Sequence, residues 1–280
     1  ARDQLAGNAE VASVENNYAI DRPPGASQVQ GPGLPPPPRL ELNPPPDNGR
    51  VIVGLVDTGV QPLGNDLDKF LLKGIFVAGD PQFDPASPSH GTSMAETLLR
   101  SLQAATGGKT AVQILPVDVY GPNATTSTFD VAQGIQQAVN GGANIINLSL
   151  GSEADSPFLR DLIQQANDKK ILVIAAAGNQ PVTTPFYPAA YPGVNAVTAI
   201  DQGQLAAYAS RGSFVTLGAP GTSIVYLNGQ AYAVTGTSAS AAFTSGVAAG
   251  YMDRTGTGTA QAQTYLNRNF GVSITPAPGK

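Results

Sequence analysis

Val51-Ile52-Val53-Gly54-Leu55-Val56-Asp57-Thr58-Gly59 begins as an uncharged apolar run and ends on a carboxylate. A strand with one wet face would alternate apolar and polar residues, so this unbroken run predicts a strand covered on both faces. Runs of the same kind recur at Gln113–Val119, Asn144–Leu148, Ile171–Ala176, Asn195–Ile200 and Phe214–Leu217. Between them lie helix-like stretches at His90–Leu102, Thr128–Asn140, Pro157–Asp168 and Ser238–Met252. Asn140-Gly141-Gly142 reads as a helix stop, and Thr259 as the N-cap of a last helix. Strand and helix alternating in this way predict an α/β fold of three layers, a mostly parallel β-sheet flanked by helices. Ser223–Tyr226 and Ala231–Thr235 flank Leu227-Asn228-Gly229-Gln230, where Asn-Gly predicts a hairpin turn.

Upstream of Val51 the texture is different. Ten of the 24 prolines fall between Arg22 and Asn48, a density that suits an extended strap and excludes helix or sheet interior. A short helix is expected over Gln4–Val14. The chain thus divides into an N-terminal extension with a proline-rich strap (1–50), a folded domain (51–270) and a tail or linker stub (271–280) ending Thr275-Pro276-Ala277-Pro278-Gly279-Lys280.

The 280 residues carry 15 Lys and Arg against 20 Asp and Glu, a net charge of −5, so no basic surface awaits nucleic acid or an anionic membrane. No apolar run approaches the roughly 20 residues of a membrane span. Cys is 0 and His is 1, which excludes disulfides, thiolate chemistry and poly-His metal centres. Only carboxylates could bind metal. The opening Ala1-Arg2-Asp3-Gln4 has no signal-peptide core, so a processed form is expected.

Four fragments could carry chemistry. Asp57 stands at the carboxyl end of a strand, where open α/β sheets place their sites. Asp57-Thr58-Gly59 also matches the triplet of aspartic proteases, but that chemistry needs a second triplet or a homodimer of small all-β chains, and this chain has one triplet in an α/β setting. His90, in Ser89-His90-Gly91-Thr92, opens a helix and is either a base or an ordinary surface histidine. Ser238, in Gly236-Thr237-Ser238-Ala239-Ser240, sits in the first turn of an apolar helix, either as an N-cap or as an oriented nucleophile. Asn179, in Ala176-Ala177-Gly178-Asn179, ends a buried strand with an amide that either closes a turn or donates to an oxyanion.

Taken together, in the order Asp, His, Asn, Ser, these fragments resemble the subtilisin-like serine proteases, the subtilases. Ile146-Asn147-Leu148-Ser149-Leu150-Gly151, Tyr187-Pro188 and Ala219-Pro220-Gly221 match as well, and the resemblance runs from about Val51 to about Met252. It implies a subtilisin-like catalytic domain acting as a serine endopeptidase on polypeptide substrates through an acyl-enzyme. Ser238 would be the nucleophile, His90 the base and then the acid, and Asp57 the orienter of the imidazole. Asn179 and the Ser238 N–H would hold the oxyanion. Ser149, Leu150 and Gly151 would line the P1 pocket and pair with substrate backbone, with Ala176, Ala177, Gly178 and Phe186 around the same pocket. Ala124, Thr125, Thr126 and Ser127 would form the facing edge. A prosegment or protein inhibitor is the other partner implied, and secreted or extracytoplasmic action fits the family and the cysteine-free composition.

Ser93, Glu96 and Ala241 depart from the usual second histidine, glycine and proline of these motifs, and none is a triad position. Phe186 stands where a small residue is usual, which predicts a filled P1 pocket. Leu98–Gly108 has no carboxylate, so the family's calcium loop within the helix after the histidine is not expected, and no cofactor or metal is assigned. Peptide ligation through the same acyl-enzyme, or peptide binding without catalysis, are the alternative activities.

Overall fold

The computed structural model describes residues 14–29, 40–43 and 51–274. The strands are β1 (Ala19–Asp21), β2 (Ser27–Gln28), β3 (Val51–Asp57), β4 (Ile75–Phe76), β5 (Val112–Asp118), β6 (Thr125–Ser127), β7 (Ile145–Leu148), β8 (Leu172–Ala176), β9 (Val194–Asp201), β10 (Gln204–Leu205), β11 (Leu217–Pro220), β12 (Thr222–Leu227) and β13 (Gln230–Thr235). The helices are α1 (His90–Thr106), α2 (Thr128–Asn140), α3 (Pro157–Asp168), α4 (Thr237–Thr255) and α5 (Thr259–Phe270).

Eight strands form the main sheet, in the order β10-β9-β8-β7-β3-β5-β4, with β11 also on β9. All its pairings are parallel except β10 with β9. Both faces are covered, as the apolar runs require. On one face Val53 and Leu55 of β3 pack with Leu98 and Leu102 of α1, Ala242 and Val247 of α4 and Leu266 of α5. On the other, Val56 packs with Val131 and Ile135 of α2 and Leu159 and Ile163 of α3. Successive strand residues thus serve opposite layers, the period of two seen in three dimensions.

α1 and α4 pack unusually closely. A Cβ on Gly246 would collide with Ser101 Oγ and the Leu98 carbonyl, and one on Gly250 would lie 2.8 Å from Ala105 Cβ. Glycine at these two positions lets the helices touch backbone to side chain.

The starts of α1, α2 and α3 agree with the sequence because each has a serine cap: Ser89, Ser127 and Ser156 accept from the N–H groups of Thr92, Asp130 and Leu159. α4 and α5 start after Gly236 and Gly258 without a side-chain cap, so Thr259, expected as the N-cap of the last helix, is its first residue instead. Two further boundaries differ. α1 continues a turn beyond Leu102 through Gln103-Ala104-Ala105-Thr106 and stops at Gly107, in the left-handed region at φ 67°. The strand expected at Phe214–Leu217 is found at Leu217–Pro220, because Val215 N closes a turn onto Gly212 O and the ladder with β9 begins at Leu217. The hairpin is formed by β12 and β13 around Asn228 and Gly229. Of the helix expected over Gln4–Val14, all but Val14 lies outside the described residues, as does most of the strap. The described part of the N-terminal extension carries β1, just ahead of the strap, and β2 within it, which pair with β6 and β13. No helix among the described residues is long and apolar enough to cross a membrane.

Candidate active site

Asp57 ends β3 and is fully buried, and His90 opens α1 at 4% exposure. His90 Nδ1 lies 2.8 Å from Asp57 Oδ1 and 3.0 Å from Oδ2. A carboxylate accepts, so Nδ1 carries the proton of this pair and Nε2 takes no part in it.

The loop after Asp57 is lashed to the first turn of α1. Gly91 N donates to Thr58 Oγ1 at 2.8 Å, Ser89 Oγ to Gly59 O at 2.6 Å, and Gln61 N to Thr92 Oγ1 at 2.8 Å. Ser89 N closes the network on Gln61 Oε1 at 2.7 Å. Sequence reasoning did not single out Thr58, Gln61, Ser89 or Thr92, whose hydroxyls and amide set where the Asp57–His90 pair stands.

Ser238 is the second residue of α4 and is 8% exposed. Its hydroxyl donates to Ser149 O at 3.1 Å, and Ser149 Oγ donates to Ser238 O at 3.1 Å. Behind them Asn147 Nδ2 reaches Ser149 Oγ at 2.9 Å, and Ser245 Oγ reaches Asn147 Oδ1 at 3.0 Å. Among the described residues Ser238 and His90 share no hydrogen bond.

Asn179 is oriented by its neighbours. Its Oδ1 accepts from Thr237 N at 2.8 Å and Thr237 Oγ1 at 3.1 Å, which turns Nδ2 away as a donor without a partner among the described residues. Gly236, at φ 153°, precedes Thr237, and a Cβ there would lie 3.0 Å from Asn179 Nδ2. Any side chain at Gly236 would crowd that amide.

Ser238 and Asn179 line a cleft of about 500 Å³, together with Ser149, Leu150, Gly151, Ala176, Gly178 and Phe186. The Phe186 ring lies between Gly151 and Gly178: a Cβ on Gly151 would be 2.5 Å from its Cε1, and one on Gly178 3.3 Å from its Cγ. Asp57, His90 and Ala177 stand outside this lining. So do Ala124, Thr125, Thr126 and Ser127, and the last three form β6, whose edge is taken by β1.

Two more buried carboxyls lie near. Burial pushes the Asp118 carboxyl up from its ordinary range, against the pull of Tyr120 N and Gly121 N, which both bond its Oδ1. It pairs in register with Asp57 across β3 and β5. Burial likewise raises Glu96, opposed by Tyr226 N and Arg100. Among the described residues no three His, Cys, Asp or Glu side chains are grouped to hold a metal ion. Asp68 is used in bonding Leu63 N, and Asp84 in bonding Ala86 N and Ser87 Oγ.

Comparison with known proteins gives the wider setting. The subtilase family matches residues 48–269. The "Thermophilic serine proteinase" of Bacillus sp. (strain AK1) is 37% identical over 205 residues, covering 70% of this chain and 51% of that protein. The "Thermostable alkaline protease" of Halalkalibacterium halodurans is 34% identical over 203 residues, covering 70% of this chain and 55% of that protein. The chain therefore spans about half the length of these curated relatives. Among solved structures, a mutant of the protease domain of PatA superposes with TM-score 0.62 at 26% identity, over 74% of this chain and 80% of that one. With the family matched over most of its length, the chain belongs to the subtilase family.

Proposed function

We propose that the chain is a serine endopeptidase that hydrolyses peptide bonds through an acyl-enzyme. The observation that carries this reading is the buried Asp57–His90 pair, held at 2.8 Å at the end of the parallel sheet where Ser238 begins its helix. Ser238 Oγ attacks the peptide carbonyl and His90 Nε2 takes its proton, then returns it to the leaving amine, while Asp57 stabilises the imidazolium. The oxyanion is received by Asn179 Nδ2 and the Ser238 N–H, donors already fixed before charge develops. Water repeats the cycle on the acyl group. To start it, the Ser238 hydroxyl leaves Ser149 O for His90. Such catalytic contacts commonly tighten only when substrate is bound. Action outside the cytoplasm belongs to the same proposal and rests on membership of the subtilase family.

The test is covalent labelling with a serine-reactive phosphonate followed by peptide mapping. Modification at Ser238, abolished in Ser238→Ala along with hydrolysis of a casein substrate, is the expected result. Hydrolysis retained by Ser238→Ala overturns the assignment.

A further inference from the structure

The cleft beside Ser238 is walled in part by the N-terminal segment. Ala19, Ile20 and Asp21 pair antiparallel with Ser127, Thr126 and Thr125, and Arg22 N extends the ladder to Ala124 O at 2.9 Å. Further on, Ser27 and Gln28 pair with Ala233 and Tyr232 of β13, the strand that leads into Gly236 and Ser238. Residues 22–26 therefore cross from one edge of the site to the other, and Arg22, Pro23 and Pro24 share the cleft wall with Ser238. An extended chain added to a free strand edge is how a peptide is bound in such a groove.

Arg22 anchors this segment. Its Nε donates to Asn123 O at 2.8 Å and its Nη2 to Gly121 O at 2.6 Å, while its Cζ lies 5.4 Å from the centre of the Tyr120 ring. Two carbonyls and an aromatic face match the planar fork of a guanidinium and do not match a compact ammonium. The turn that presents them is internally braced: Asp118 Oδ1 holds Tyr120 N and Gly121 N, and Tyr120 O takes both Asn123 N and Asn123 Nδ2 at 3.0 Å. Asp118 is 1% exposed, and its Oδ2 has no hydrogen-bond partner among the described residues. With Asp57 in register beside it, two buried carboxyls stand behind the place where the cation sits.

We propose that the turn from Asp118 to Asn123 is an arginine-binding subsite of the cleft, which receives the guanidinium of a peptide at the residue pairing with Ala124, and that Arg22 fills it in cis as a competitor of substrate. The proposal deepens the endopeptidase reading and rests on it. It also requires that the segment resist cleavage. The bonds after Arg22 and Pro23 both end on proline nitrogens, where a ring carbon replaces the N–H and hinders proton delivery to the leaving group.

The full chain and its Arg22→Ala variant are compared on a fluorogenic peptide library in which arginine is scanned through the residues before the cleaved bond. Arg22→Ala is expected to lower KM at least fivefold at unchanged kcat, and arginine to be preferred over alanine at least tenfold at one position. An unchanged KM, or no preference for arginine, overturns the proposal. A fall in kcat and Tm without a fall in KM also overturns it, since Arg22 would then be a brace alone. A second measurement needs no turnover: binding of a labelled peptide copying residues 16–29 to the Ser238→Ala, Arg22→Ala double variant. That peptide is expected to bind at least tenfold tighter than the same peptide with alanine for its arginine, and equal binding overturns the subsite. If phosphonate labelling and hydrolysis both fail while arginine-dependent binding persists, the endopeptidase reading falls and the subsite stands.

Discussion

Ser149 and Ser238 hold each other reciprocally, each hydroxyl donating to the other's carbonyl oxygen at 3.1 Å. The edge proposed to receive substrate backbone and the proposed nucleophile are therefore one hydrogen-bonded unit, backed by Asn147 and Ser245.

Ser149→Ala breaks this unit at one atom. It frees the Ser238 carbonyl and leaves buried Asn147 Nδ2 without its partner, a loss of about 1–3 kcal/mol. A lower Tm is expected, with a several-fold slower reaction of Ser238 with phosphonate, read by thermal unfolding and by labelling rate. Unchanged values for both would show that the pair is incidental.

Asn179→Asp keeps the acceptor that bonds Thr237 and replaces the free donor by an oxygen. Removing the equivalent donor in subtilisin lowers kcat by about 10²–10³, and at least that loss is expected here, because the new carboxylate also repels the oxyanion. KM should stay within about twofold, since the bond strengthens only in the transition state. Steady-state kinetics on one peptide ester separates the two constants, and a raised KM at constant kcat would assign Asn179 to ground-state binding.

Phe186 has its ring wedged between Gly151 and Gly178, so in the proposed P1 pocket its volume would be subtracted from the space a large side chain needs. Overpacking of this kind costs about 1–3 kcal/mol, roughly tenfold or more in kcat/KM. The wild type should prefer alanine over phenylalanine at P1, and Phe186→Gly should reverse or flatten that ratio. A wild-type preference for aromatic P1 residues contradicts the wedge.

Asp118 carries a pH signature. Burial holds its carboxyl above the ordinary range, so the unfolded chain releases that proton more readily than the folded one. Stability is then lost as pH rises from the ordinary carboxylate range through the raised value. Asp118→Asn keeps an oxygen for Tyr120 N and Gly121 N and cannot ionise. Its Tm relative to wild type should increase with pH across that interval, and a difference that is constant with pH removes Asp118 as the cause.

Chelator should matter little. Asp68 and Asp84 are engaged by Leu63 N and by Ala86 N and Ser87 Oγ, Glu96 by Tyr226 N and Arg100, and α1 runs unbroken through Leu98–Thr106. A tight structural cation at a thousand-fold excess over its Kd would contribute about 4 kcal/mol. The expected change in Tm on adding EDTA is under a degree, and a drop of many degrees would reveal a cation site.

What could be read from residue order was whatever apolar pattern and capping chemistry control. β3, β7, β8 and β9 lie close to where their uncharged runs place them, and α1, α2 and α3 start beside Ser89, Ser127 and Ser156. β1 and β2 escaped because short polar strands are made by main-chain pairing to distant edges, which leaves no periodicity. In the site, the Asp57–His90 pair and the shared cleft of Ser238, Asn179 and Phe186 follow the motif order. The seat of Arg22 does not, because Gly121 and Asn123 contribute carbonyl oxygens, which every residue has. Nor could the Ser238 rotamer be anticipated, since the carbonyl it faces lies 89 residues away in the chain.

His90 and Ser238 each stand at the start of a helix, and those two helices meet through hydrogens where other residues have methyl groups, at Gly246 and Gly250. Gly246 lies about 12 Å along α4 from Ser238. The axes of α1 and α4 act there like the arms of a pair of tongs, with a pivot far from the tips. A single added carbon at the pivot would spread the tips, detuning the chemistry while every residue that performs it remains in place.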